Sequence, residues 1–145
     1  MRVELVLENW RLFAAGTWMT LQLTVLALLI GFLIALPAGV ARARRTRFWS
    51  PAINAYVYLF RGTPLLVQTF LIYYGLSQFE FIRDSWAWTF LRSPWWCALI
   101  AFSLNSGAYA TEIIRGAVET TPKGEIEAAD SLGFSRRQVD RKSVV

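Results

Sequence analysis

The stretch Leu12–Ala41, LFAAGTWMTLQLTVLALLIGFLIALPAGVA, carries no charged residue. As an α-helix it would extend about 45 Å, at about 1.5 Å per residue. A bilayer core is crossed by about 20 apolar residues. The run is therefore long enough to span a membrane, and its most apolar part is Leu21–Ala38. We place a first span at about 16–40. Pro37 falls in its last turns, where a membrane helix tolerates a kink if neighbours satisfy the freed carbonyl. A secretory signal peptide is the competing reading. It would show a basic start and an apolar run of only about 7–15 residues. Here Arg2 and Arg11 are balanced by Glu4 and Glu8, and the basic cluster Arg42, Arg44, Arg45, Arg47 follows the run.

The rest of the composition agrees with a membrane setting. The chain has 145 residues, 55% hydrophobic and 17% charged, with mean hydropathy +0.38. Soluble domains average about 45–50% and about 25%. The seven Trp suit anchoring at membrane interfaces. There is no His, which excludes imidazole catalysis and His-ligated metals, and the one Cys excludes an intrachain disulfide or a Cys-based metal cluster.

Two further spans are expected. Phe48–Phe60 and Gly62–Phe79 are uncharged, with Arg61 between them. One helix through Arg61 would bury a guanidinium at a cost of about 2.5–3.5 kcal/mol or more. We therefore place the second span at about 63–81, with 50–60 along the interface and Arg61 at headgroup level. Gly62 and Pro64 suit a break there, because Pro64 disfavours helical backbone at Thr63. A third span follows at about 95–114. The connection between them is a mixed-charge loop with Trp86, Trp88, Trp95 and Trp96, which reads as an interfacial belt or, alternatively, as a stacking surface.

The charges give an orientation. The Arg42–Arg47 cluster and the polar segment Arg115–Val145 are basic, while the amino terminus and the Trp-rich loop are balanced. The positive-inside rule puts the two basic segments in the cytoplasm and the amino terminus outside. The net charge of +5 is then a topology signal, and no nucleic-acid partner is expected. No Gly-x4-Gly-Lys-Ser/Thr loop occurs, so ATP hydrolysis by this chain, and any bound cofactor, are not expected.

Two features are unusual. Asn105, Tyr109 and Glu112 stand at i, i+4 and i+7, on one face of the third span. Polar groups there face a partner helix or a water-filled path. Asn105 reads either as helix–helix glue or as a path residue, and Glu112 either snorkels or pairs with Arg61 or Arg115. The second feature is Pro122–Val145, in which Glu125–Leu132 reads as a short helix ended by Gly133 as a left-handed cap. Such an elbow is either an inter-span loop or a piece that docks in a partner's groove.

Glu127-Ala128-Ala129, three residues, then Gly133 resembles the EAA motif of ABC importer permeases. Arg61-Gly62-Thr63-Pro64-Leu65 and Leu104-Asn105-Ser106-Gly107-Ala108-Tyr109 resemble the histidine/arginine/glutamine/opine branch, and the three motifs occur in the same order and spacing. The resemblance implies an all-α, multi-span fold of the type I ABC importer permease kind. It implies a cytoplasmic coupling segment over 115–145, with Gly124, Glu127, Ala128, Ala129, Leu132 and Gly133 meeting a separate ABC ATPase subunit. It implies Arg61, Gln68, Asn105, Tyr109 and Glu112 at the translocation path or gate. The implied partners are that ATPase, an extracytoplasmic amino-acid-binding protein, a second permease subunit of the same or similar sequence, and an amino-acid or opine substrate, with basic ones favoured. The implied location is the bacterial cytoplasmic membrane. In the family the motif runs on to Ile-x-Leu-Pro and further spans; here Ser143 and Val145 stand at the Ile and Leu positions, so the sequence reads as a permease that is incomplete after the EAA motif. The rival class is a small membrane assembly or interaction protein without a transport cycle.

Overall fold

The computed structural model describes residues 9–44, 48–120, 124 and 131–133. Among them every regular element is helical. Helix α1 is Trp10–Ala43, α2 is Ser50–Gly62 and α3 is Leu65–Phe70. A π-helical turn, Leu71–Gly75, and a 3-10 turn, Leu76–Gln78, continue α3. Two one-turn helices, α4 (Glu80–Arg83) and α5 (Trp88–Leu91), lead into α6, Pro94–Glu119. Two of these, α1 and α6, are long and apolar enough to cross a membrane.

Helix α1 starts where the Asn9 carbonyl accepts from Leu12 and Phe13 N–H, and it continues through Pro37. Its buried residues are Ala27, Gly31, Ala35 and Gly39. A spacing of four puts these small side chains in one stripe, the arrangement that lets two membrane helices approach closely. The stripe meets α6, whose buried residues include Ala101, Ser103, Gly107, Ala108, Thr111 and Ile114. A Cβ on Gly31 would lie 2.9 Å from the Gly107 nitrogen and 3.0 Å from the Ser103 carbonyl oxygen. One on Gly39 would lie 2.6 Å from Ile114 Cγ2. Ser106 Oγ donates to the Ala27 carbonyl at 3.1 Å. Positions 27, 31 and 39 thus meet 106, 107 and 114 in rising order, so α1 and α6 run parallel.

The chain between them packs back against α6. Ser50 shares a groove with Arg115 and Glu119, the Tyr56 hydroxyl donates to the Leu104 carbonyl at 2.6 Å, and Phe60 meets Asn105. Helix α2 packs against α6, and Arg61 in its last turn stands with Arg42 and Arg115 around Glu112, at the end of α6 that carries the basic residues. Arg61 finds an aromatic ring and a carboxylate on α6, which offsets part of the cost of its charge beside apolar helices. The break expected at Gly62–Pro64 is present, with Thr63 extended at φ −115°, ψ 143°. The segment expected at about 63–81 is helical over 65–78 but changes type twice, and Phe79 is extended.

Candidate functional site

The break in the helix sets the first part of the site. Pro64 has no N–H, so it cannot close the i to i−4 bond to the Phe60 carbonyl. Two side-chain amides take its place. Gln68 Nε2 donates to the Phe60 carbonyl at 2.8 Å and to the Thr63 carbonyl at 2.9 Å. Asn105 Nδ2 donates to the same Phe60 carbonyl at 3.1 Å and to Gln68 Oε1 at 3.2 Å. Gln68 is buried. A buried carbonyl without a donor is costly in an apolar setting, so this network holds the break in one geometry. Asn105 thus joins α6 to the broken helix.

About two turns further along α6 lies a cluster of charges. Glu112 is bonded by Arg42 from α1 and by Arg115 from its own helix, with Arg115 Nε to Glu112 Oε1 at 2.9 Å. Arg61 from α2 stands 3.6 Å from Glu112 Oε2. Its guanidinium carbon is 5.3 Å from the centre of the Tyr109 ring, a cation–π contact. Arg115 also pairs with Glu119. One carboxylate thus faces three guanidiniums from three helices. Each of these charged side chains keeps part of its surface, from 22% for Arg42 to 41% for Arg61, so none is desolvated as a fully buried ion would be.

Asn105, Tyr109 and Glu112 all meet the α2–α3 segment or the α1 end from one face of α6, as their spacing predicts. Two open grooves flank that face. One, of about 380 Å³, is lined among others by Arg42, Asn54, Tyr58, Arg61 and Tyr109. The other, of about 320 Å³, is lined by Arg42, Ser50, Asn54, Arg115 and Glu119. The Trp-rich connection packs its rings on one another edge to face: Phe90 with Trp96 at 5.2 Å and Trp95 with Trp96 at 4.9 Å.

Of the residues tied to the elbow, Gly133 has φ +76°, the left-handed backbone expected of a helix-ending glycine. Leu132 and Gly124 are exposed. Glu127, Ala128 and Ala129 lie outside the described residues. Sequence reasoning missed Arg42, which it used only as a topology charge. The available signal was position: Arg42 lies three residues after Gly39, on the side of the small-residue stripe that meets α6. It also missed Tyr56, whose hydroxyl fits against Gly107.

These features define a multi-span helical membrane protein of permease type, with a close-packed pair of long helices and a charged seam at one end. The family described as "Binding-protein-dependent transport system inner membrane component" matches residues 27–145, and the chain belongs to it. It is similar to the nopaline transport system permease protein NocM of Agrobacterium fabrum, at 42% identity over 93% of this chain and 56% of the relative. It is similar to the arginine ABC transporter permease protein ArtM of Haemophilus influenzae, at 46% identity over 90% of this chain and 58% of the relative. A crystal structure of an amino acid ABC transporter with histidines matches with a TM-score of 0.75 and 34% identity, covering 98% of this chain and 62% of that chain. The chain therefore spans little more than half the length of the curated relatives it matches.

Proposed function

We propose that this chain acts as a membrane-spanning permease subunit of an ATP-driven importer for amino acids or opines. The observation that carries the reading is family membership over residues 27–145. It speaks against the rival reading of a small membrane assembly protein. Relatives named for nopaline and arginine transport support the substrate class and favour basic or guanidinium-bearing members of it. ATP hydrolysis belongs to a separate ABC ATPase subunit. An extracytoplasmic binding protein delivers the substrate, and a second permease subunit completes the pathway. The amino terminus lies outside, and the segment at about 63–81 crosses the membrane between α1 and α6 in the opposite direction.

In this reading the elbow, with Gly124, Glu127, Ala128, Ala129, Leu132 and Gly133, couples to the ATPase. Arg61, Tyr109 and Glu112 lie at the cytoplasmic end of the path, and Gln68 with Asn105 keep the helix break beside it in shape. The mechanism follows from the geometry. The Arg42, Arg61 and Arg115 contacts to one carboxylate tie the ends of three helices, so a pull on the segment after Glu119 is felt by all three.

The test is reconstitution, in proteoliposomes with a cognate ATPase, binding protein and partner permease, of a full-length permease that carries this chain. ATP-dependent uptake of radiolabelled arginine or an opine is expected only when this chain is present. Uptake that is unchanged without it, or an ATPase that does not co-purify with it, would overturn the reading. Topology is checked separately by cysteine labelling near residues 45, 85 and 140; labelling of 85 from the cytoplasmic side would reverse the orientation.

A further inference from the structure

The two grooves beside α2 share Arg42 and Asn54, and together they form a trough along the ends of α1 and α6. Its charge does not balance. Arg42, Arg61 and Arg115 face Glu112 and Glu119, three cations against two carboxylates. Donors also remain. Among the described residues, Arg61 makes no hydrogen bond closer than its 3.6 Å contact with Glu112. Ser50, at the start of α2, has a buried Oγ with no hydrogen-bond partner, and it lines the second groove beside Arg42 and Arg115. A phosphate oxygen satisfies this set: it accepts from guanidinium, amide and hydroxyl and carries the missing negative charge.

The flanks of the trough are apolar and open. Tyr58 and Tyr109, both in its lining, are 84% and 47% exposed, and Val57 lies beneath them. A free anion gains nothing from such flanks, whereas an amphiphile lays its chains against them. Arg44 follows Arg42 at the end of α1 and adds to the basic charge there. Basic pockets between membrane helices near the cytoplasmic face are the kind of site that holds anionic headgroups.

We propose that the trough seats the phosphate headgroup of an anionic phospholipid, held by Arg61 and Arg42 with Asn54, and with its acyl chains along Tyr58 and Tyr109. The inference rests on the proposed membrane reading for the leaflet that supplies the lipid; the trough itself does not depend on transport.

Native mass spectrometry of the full chain in a neutral detergent tests it. The chain is titrated with phosphatidylglycerol, with phosphatidylcholine of the same acyl chains, and with inorganic phosphate. Phosphatidylglycerol is expected to bind more tightly than phosphatidylcholine. Arg61→Gln should weaken phosphatidylglycerol about fivefold, the effect of one basic residue at a charged surface. Arg61→Lys should retain most of the preference, which separates lost charge from lost fold. Asn54→Ala, at an exposed position, should weaken binding less. Equal retention of the two lipids, or a preference untouched by Arg61→Gln, overturns the proposal. Complete displacement of phosphatidylglycerol by millimolar inorganic phosphate also overturns it, in favour of a site for free phosphate. Because the readout involves no ATPase or substrate, failure here is distinguishable from failure of the transport reading.

Discussion

Replacing Gly31 by Ala tests how closely α1 and α6 are packed. The added Cβ would stand 2.9 Å from the Gly107 nitrogen and 3.0 Å from the Ser103 carbonyl oxygen, and would also press on Ser106 Oγ. The first two are backbone atoms, which no rotamer change can move. Ordinary contact begins at 3.4 Å, so the helices must part by 3.4 − 2.9 = 0.5 Å at this point. Overpacking of this kind costs about 1–3 kcal/mol. The bond from Ser106 Oγ to the Ala27 carbonyl lies at the same level and would lengthen, and inter-helix bonds in membranes average about 0.6 kcal/mol. Ala gains helix propensity over Gly, which obscures the clash in a single variant. Gly16→Ala removes that ambiguity, because it gives the same gain in the same helix with nothing within 4 Å of the new Cβ. The difference between the two variants is then the packing cost, about 1.5–3.5 kcal/mol. Unfolding in mixed dodecyl-maltoside and SDS micelles, followed by far-ultraviolet circular dichroism, measures both. A difference below about 0.5 kcal/mol would mean that the small residues of α1 are not at a tight seam.

The remaining predictions address the polar groups. Glu112→Gln leaves three guanidiniums without their shared carboxylate, and should cost about 1–3 kcal/mol in the same unfolding assay, less than breaking a fully buried pair because every partner keeps some exposure; an unchanged midpoint would show that the cluster contributes nothing. Asn105→Ala should cost about 1 kcal/mol by removing a donor to the Phe60 carbonyl. Combined with Pro64→Ala, which restores an N–H for that carbonyl, the loss should shrink; strict additivity of the two changes would refute the assignment. Gly133→Val forces a β-branched side chain into φ +76° backbone, at about 1–2 kcal/mol. In a reconstituted complex it should reduce substrate-stimulated ATP hydrolysis while membrane insertion, measured by carbonate extraction, stays intact; normal stimulation would remove the elbow from the coupling step.

Much of the architecture was legible from charge placement. The uncharged run 12–41 marks α1, and the break at Gly62–Pro64 follows from proline stereochemistry alone. The common face of Asn105, Tyr109 and Glu112 follows from helical spacing. What stayed hidden depends on pairs distant in sequence. Arg61 could be assigned to a span end and offered Glu112 as a partner, but its stacking on Tyr109 depends on how α2 crosses another helix. Arg42 looked like a topology signal because its contact with Glu112 crosses 70 positions. The polar residues of α6 could be placed on a face, but hydropathy does not say which faces a broken backbone. Asn105 resolved once the Phe60 carbonyl, released by Pro64, was seen opposite it.

The parallel seam between α1 and α6 also constrains how the protein is made. Ser106 and its acceptor at Ala27 are 79 positions apart. At about 5–20 residues per second, the ribosome needs about 4–16 s to supply the second after the first. During that interval the stripe on α1 is without the α6 surface that covers it in the fold. A surface of Asn or Arg side chains would recruit other polar helices during the wait. Alanine and glycine offer no side-chain hydrogen bond to such helices, and their close packing rewards only a partner whose surface fits the stripe. Specificity is deferred until α6 brings a matching surface, with Ser106 supplying the hydrogen bond. A polar substitution in the stripe, such as Ala35→Asn, would therefore act first on the nascent chain, as mispairing that depends on expression rate, before it altered the finished fold.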